Sequence, residues 1–487
     1  MLRRCLPLLF VMLAGFQASA AERLNVLFIA SDDLRPELGC YGHPQVKSPN
    51  VDRLASEGML FNRAYCQQAV CNPTRASLMT GLYPETLQVF DLPTHFRDKR
   101  PDAVTIAQHF KDHGYHAERV GKIFHVGHGN RDDPLSWSCA NKTKLQPRFG
   151  PHGQQVLTDE KRQAKKSGKK RVDRVRGLPW EAPDVADSEL LDGSTTDEVI
   201  RLLKEHKDEP FFLACGLANP HLPFVAPKTY WDLYDPATIE LASNPFPPHN
   251  APGYAATSWG EMRAYVGIPA KGPLPDDQAR QAIHGYWAAI SYIDTQIGRL
   301  LDELDRLKLR EKTVVILWGD HGWQLGEHGF WCKHTNYEVA TRVPLIISVP
   351  GQKQPGQTSN RLVEFVDIFP SLCDACDLPI PAQLEGTSFL PLMDDPQRPW
   401  KSAAFHVFPR TIPGHGHALG RGIRTETHRL VEWKADHDDF TEYELYDLIA
   451  DPQENENVAG EVRYASILKK LKVQLHAGHV AARPASR

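Results

Sequence analysis

Short apolar runs alternate along this chain with longer stretches of helical period. Leu24-Asn25-Val26-Leu27-Phe28-Ile29 is nearly continuous in hydrophobicity and stops abruptly at Ser31-Asp32-Asp33. That is the pattern of a strand buried on both faces. Pro210-Phe211-Phe212-Leu213-Ala214-Cys215 repeats it and ends near Asn219-Pro220-His221. The period changes after Asp276-Asp277, residues suited to an N-cap, where Ile290, Ile293, Ile297, Leu300, Leu301 and Leu304 fall on one helical face. Thr313 to Trp318 returns to a strand and closes in Gly319-Asp320-His321. Strands alternating with helices predict an α/β fold built on a large, mostly parallel sheet with helices on both faces. Polar groups collect just past the carboxyl ends of these strands, the edge where open α/β sheets place ligands.

With 487 residues, 41% of them hydrophobic, the chain is long enough for one large domain and a smaller one. We expect a leader over 1–20, a catalytic α/β domain over 21–384, and a C-terminal α+β subdomain with a small antiparallel sheet over 385–487. Pro391, Pro396 and Pro399 mark the entry to the last. Arg3-Arg4, an apolar stretch from Leu6 to Phe16 and Ala18-Ser19-Ala20 read as a secretory signal cleaved after Ala20. No later segment is long and apolar enough to span a membrane. The net charge of -4 gives no sign of a nucleic-acid partner. Nine cysteines, less Cys5 in the leader and Cys71, leave an odd number, which argues against a full disulfide framework. Cys373 and Cys376 have C-x-x-C spacing without a second pair, so they read as buried thiols or a local disulfide. Asn141 heads the one Asn-x-Ser/Thr sequon, because Pro73 disqualifies Asn72. This favours an exported bacterial protein, periplasmic or secreted.

Asp32, Asp33, Asp320 and His321 form the candidate metal site. Either pair alone reads as a turn or a helix cap. If their strands are neighbours, however, three carboxylates converge, and they repel unless a cation sits among them. Oxygen-rich ligation suits a hard ion such as calcium or magnesium. Between the two pairs lies Cys71-Asn72-Pro73-Thr74-Arg75-Ala76-Ser77-Leu78-Met79-Thr80-Gly81. A bland reading makes Cys71 a buried cysteine at a helix start. The run from Lys161 to Arg171 is strongly basic. It reads as a solvated, mobile insertion, with attraction of a polyanionic polysaccharide as the functional alternative.

The Cys-x-Pro-x-Arg core resembles the signal by which type I sulfatases have a cysteine oxidised to formylglycine. The likeness extends through Ser31-Asp32-Asp33-Leu34-Arg35-Pro36, Gly121-Lys122-Ile123-Phe124-His125, Pro220-His221-Leu222-Pro223-Phe224, Asp320-His321-Gly322-Trp323 and Lys333 to Glu444-Leu445-Tyr446-Asp447-Leu448. The chain is thus similar to the type I sulfatases of the alkaline-phosphatase superfamily, and more narrowly to the iduronate-2-sulfatase branch and its bacterial relatives. Leu82 and Thr74 depart from the usual modification signal.

This resemblance implies a nucleophile made from Cys71 by a formylglycine-generating or sulfatase-maturing enzyme. It implies one calcium ion held by Asp32, Asp33, Asp320, His321 and the residue at Cys71. Arg75 would hold the attacking hydroxyl, and Lys122 and Lys333 would face the sulfate oxygens. His125 and His221 would share the base and acid roles, in an order that sequence leaves open. In the C-terminal part His406, Arg410 and Arg424 would close the pocket. The substrate implied is a sulfated carbohydrate. Two rival readings stand beside this one: a phosphodiesterase or phosphonate hydrolase on the same scaffold, and a non-catalytic binder of sulfated glycan in which Cys71 stays a thiol.

Overall fold

The structure, a computed structural model, describes residues 23–140, 143–168 and 175–484. The leader over 1–20, Asn141 and the end of the basic run over 169–171 lie outside the described residues. A large mixed sheet forms the centre. Its strands lie in the order Gln357–Glu364, Met59–Tyr65, Leu345–Ser348, Thr313–Gly319, Asn25–Asp32, Phe211–Pro220 and His116–Gly121, with the two-residue Arg342–Val343 strand added beside Met59–Tyr65. Leu345–Ser348 runs antiparallel to both neighbours, whereas the other long pairings are parallel.

Asn25–Asp32 sits between Phe211–Pro220 and Thr313–Gly319, and Ser31 is level with Gly319. The two acidic strand ends are therefore neighbours at one edge of the sheet. All three strands are buried along their whole length, as near-continuous apolar runs require. The long helix Asp276–Arg306 covers one face and buries Ile290, Ile293, Ile297, Leu300, Leu301 and Leu304. Its cap position is Pro275, so Asp276 and Asp277 lie inside the first turn rather than capping it. There their charge meets the positive end of the helix dipole.

The helix Cys71–Thr80 is buried on every side and ends at Gly81, which adopts φ 67°. That left-handed C-cap suits a residue without Cβ. A second close approach fixes where Lys122 leaves the sheet: a Cβ on Gly216 would lie 2.3 Å from the Lys122 carbonyl oxygen. Any side chain there would push the Lys122 segment away from the strand edge.

A four-stranded antiparallel sheet, Ala404–Ile412, Gly416–Arg424, His428–Ala435 and Thr441–Asp447, is followed by the helix Ala465–Ala482. A buried junction on this sheet is built around Arg429. This fully buried guanidinium pairs with Glu454 at 2.6 Å, with Glu338, and with the Asn336 carbonyl at 2.7 Å. His406 and Arg424 join this junction, Arg424 through Glu338. Arg410 donates to the backbone at Tyr254, Ala255 and His334. The described cysteines, Cys373 and Cys376 included, are free thiols. In the basic run, Lys161 to Lys166 form the largely exposed end of the helix Pro151–Lys166. Lys, Arg, Gln and Ala are good helix formers, and Ala164 is buried.

Candidate active site

The turn after Asn25–Asp32 sets the first two carboxylates. Asp33 has φ 62°, a left-handed conformation that Asp tolerates when neighbours hold it. Its N–H donates to Asp320 Oδ1 at 2.9 Å, and Tyr286 Oη donates to its carbonyl at 2.6 Å. Asp320 thus braces the opposite strand end and keeps Oδ2 for Arg75, whose Nε donates to it at 2.8 Å. Asp32, Asp33, Asp320 and His321 are all buried.

Cys71 occupies the first position of its helix, with Sγ 3.5 Å from Asp32 Oδ1 and 3.3 Å from His321 Nε2. One ligand atom from each of Asp32, Cys71, Asp320 and His321 lies within 4.8 Å of the others, and Asp33, Cys71 and His221 meet the same criterion. The predicted metal ligands are therefore brought together.

The cations come from farther along the chain. Lys122 pairs with Asp32 Oδ2, and Lys333 lies 3.1 Å from both oxygens of Asp33. Arg75 is wholly buried and donates to Asp320, to Asp32 at 3.4 Å, and to the carbonyls of Lys122 and Ile123 at 2.5 and 3.0 Å. Its guanidinium is thus committed to holding Asp32, Asp320 and the Lys122 segment in place. His125 and His221 line one cleft together with Lys122. His221 follows Ala218 and Asn219, whose N–H groups donate to the buried Asp192 at 2.7 and 2.9 Å. His406, Arg410 and Arg424 serve the structural contacts of the C-terminal sheet described above.

The electrostatics follow from burial. Burial pushes the Asp33 carboxyl up to about 7, and Lys333 and His321 only partly oppose it. Burial also opposes ionisation of Asp32, but Lys122, His221 and Arg75 outweigh it and hold that carboxyl well below its usual range. The Cys71 thiol is driven well above its ordinary value, first by burial and then by Asp32. As a thiol it is therefore neutral and a poor nucleophile. His125 falls to about 3 through burial and Lys122, so its imidazole is neutral.

Sequence reasoning missed Glu261. Its Oε1 lies 2.9 Å from His221 Nε2 and its Oε2 lies 2.8 Å from Lys333 Nζ, so it couples two predicted catalytic groups. The Lys333 ammonium also lies 4.9 Å from the ring centre of the buried Trp323.

The buried, oxygen-rich donor set of Asp32, Asp33 and Asp320 with His321 fits a divalent cation. Burial, with smaller contributions from Asp32 and Glu261, holds the Asp33 carboxyl at about 7, and a bound cation would favour its ionised form.

Residues 24–378 match the sulfatase family, and residues 326–480 match the C-terminal region of N-sulphoglucosamine sulphohydrolase. Iduronate 2-sulfatase of Mus musculus is 34% identical over 93% of this chain and 94% of its own, and that of Homo sapiens is equally similar. Among solved structures, a protein in complex with its substrate D-glucosamine-2-N,6-O-disulfate superposes with a TM-score of 0.74 at 22% identity, covering 93% of this chain and 97% of that one. A phosphonate monoester hydrolase of Agrobacterium radiobacter gives a TM-score of 0.72 at 25% identity, covering 94% and 96%. The chain belongs to the type I sulfatases of the alkaline-phosphatase-like superfamily and is a sulfuric ester hydrolase.

Proposed function

We propose that this enzyme is an exported sulfatase that hydrolyses a sulfate monoester on a carbohydrate, in the manner of iduronate 2-sulfatase, and acts on fragments of sulfated polysaccharide. Cys71 carries the reading. Its thiol is buried against Asp32 and His321 and held protonated, so as a cysteine it is chemically silent at the centre of the site. Conversion to formylglycine replaces it with an aldehyde whose hydrate offers two hydroxyls. One attacks sulfur, and the other returns the aldehyde as sulfate leaves. Asp32, Asp33, Asp320 and His321 would hold a calcium ion, which supplies charge to bind the sulfate and lower the pKa of the attacking hydroxyl.

Lys122 and Lys333 offset the charge that builds on the sulfate oxygens. His125 and His221 exchange protons with the hydrate and the leaving alcohol. Export, in a bacterial periplasm or outside the cell, rests on the leader-like 1–20. The division into a catalytic part over 21–384 and a C-terminal subdomain over 385–487 is part of the same reading.

Mass spectrometry of the Cys71 peptide from natively expressed protein tests the proposal. We expect the aldehyde, together with release of inorganic sulfate from 2-O-sulfated uronic acid glycosides. A thiol throughout would leave only the glycan-binding alternative. The shared fold with a phosphonate monoester hydrolase makes aryl phosphate and phosphonate esters the comparison substrates, and faster turnover of these would reverse the assignment.

Glu261 acts in this scheme as a positioning residue. Burial and Lys333 lower the proton affinity of His221, while Asp32 and Glu261 raise it. Glu261→Gln keeps a hydrogen-bonding group but removes the charge. It is expected to lower kcat about 10-fold, a part of what proton transfer contributes, with a smaller change in KM. The alkaline limb of the kcat profile should move to lower pH if His221 is the acid.

A further inference from the structure

The cleft that contains Lys122, His125 and His221 continues outward to about 440 Å³. Its far wall is built by Arg148, by Lys161 on the helix Pro151–Lys166, and by Arg176; Tyr265 provides an aromatic surface. Among the described residues no Asp or Glu lines the cleft. Lys122 and His221 are matched deeper in the site by Asp32 and Glu261. By contrast, among the described residues no carboxylate pairs with Arg148, Lys161 or Arg176.

Several exposed arginines elsewhere are paired with acids: Arg131 with Asp98 at 2.5 Å, Arg201 with Glu198 at 2.8 Å, and Arg421 with Glu85 at 2.7 Å. Arg148 is also held in place, because its Nη2 donates to the carbonyls of His221 and Ala218 at 2.5 and 3.3 Å. That contact fixes one cation of the wall to the loop that carries His221. Three cations that no described carboxylate contacts directly, on a wall continuous with the reacting end, form a positive surface open to an anionic ligand, and the buried Asp192 acts on Arg148 without forming an ion pair with it.

We propose that Arg148, Lys161 and Arg176 form an anion subsite that takes a second negative group of the substrate while its sulfate ester occupies the site at Cys71. This deepens the proposed function and rests on it. A carboxylate of the sulfated sugar and a sulfate on the adjoining sugar share the required chemistry, since a guanidinium accepts either in bidentate fashion. The subsite selects polyanionic oligosaccharide over a simple monosulfate. It also gives the first part of the basic run a place in substrate capture.

Calorimetric binding to the full chain in its thiol form tests this without turnover. The probe is a disaccharide carrying a 2-O-sulfated uronate and a second sulfate on its neighbour. In Lys161→Ala/Arg176→Ala its Kd should rise about 10-fold, and in Arg176→Glu it should rise further. Lys161→Glu, a change at an exposed helix position, guards against a folding artefact. Two probe variants separate the sources. If the carboxyl-reduced disaccharide has lost the response to these substitutions, the carboxylate is the ligand; if the disaccharide lacking the second sulfate has lost it, that sulfate is. A Kd within twofold of the parent in all three protein variants would overturn the subsite. Turnover of an aryl sulfate by the matured parent chain is read separately: its failure would sink the proposed function and not the subsite, which binding alone decides.

Discussion

Cys71→Ala is expected to lower kcat on any sulfate ester by about 10⁴-fold or more, the scale on which enzymes lose activity when a nucleophile is removed. Cys71→Ser should do the same when the host's maturing enzyme oxidises only cysteine. The thiol stands 3.5 Å from Asp32 and 3.3 Å from His321 in a fully packed site, so the alanine variant removes little volume and should keep the fold. The informative comparison is with parent chain expressed without a maturing enzyme. If conversion makes the nucleophile, the thiol form and the alanine variant are equally inactive, and supplying the maturing enzyme restores only the former. Steady-state rates on an aryl sulfate, with the aldehyde content of each preparation measured alongside, check this. Appreciable turnover by the fully unconverted thiol would show that sulfur itself attacks, against the protonated state that burial imposes on Cys71.

Much of this site was legible in the sequence because its acidic groups sit where buried strands stop. Asp32, Asp33, Asp320 and His321 each follow an apolar run directly, so local pattern places them at a sheet edge. Their convergence needed one further fact, the adjacency of Asn25–Asp32 and Thr313–Gly319, which is long-range and which the structure supplies. The antiparallel course of Leu345–Ser348 was not legible, since a four-residue apolar run carries no direction. Glu261 was hidden for a different reason. It lies in a four-residue helical turn, Gly260–Arg263, within a largely irregular stretch, and nothing nearby distinguishes it from the other acids of the chain. Its role exists only because folding brings it between His221 and Lys333. In the basic run, charge drew attention away from helix propensity, and the exposed lysines turned out to ride on a helix with one flank against the cleft.

Removing divalent cation from the matured enzyme with a chelator should abolish turnover and lower the thermal midpoint, and calcium should restore both better than magnesium. The three buried carboxylates are the reason. Lys122, Lys333 and Arg75 answer part of their charge, yet burial still drives Asp33 up to about 7. A ligand that binds only the folded state at 100 times its Kd adds about 2.7 kcal/mol of stability. The sign of the pH dependence follows from Asp33. Without cation its folded pKa lies above its unfolded value of 3.8, so the folded state retains a proton that the unfolded chain has released, and stability falls as pH rises from there towards 7. Cation binding removes that penalty by favouring the ionised carboxylate. The midpoint gained on adding calcium should therefore be larger at pH 8 than at pH 5, and Asp33→Asn should lessen both the gain and its pH dependence. Differential scanning calorimetry of chelated and reloaded protein at the two pH values measures this directly. A midpoint indifferent to calcium at both would mean that the carboxylates are balanced by the lysines and Arg75 alone, and would remove the cation from the proposed chemistry.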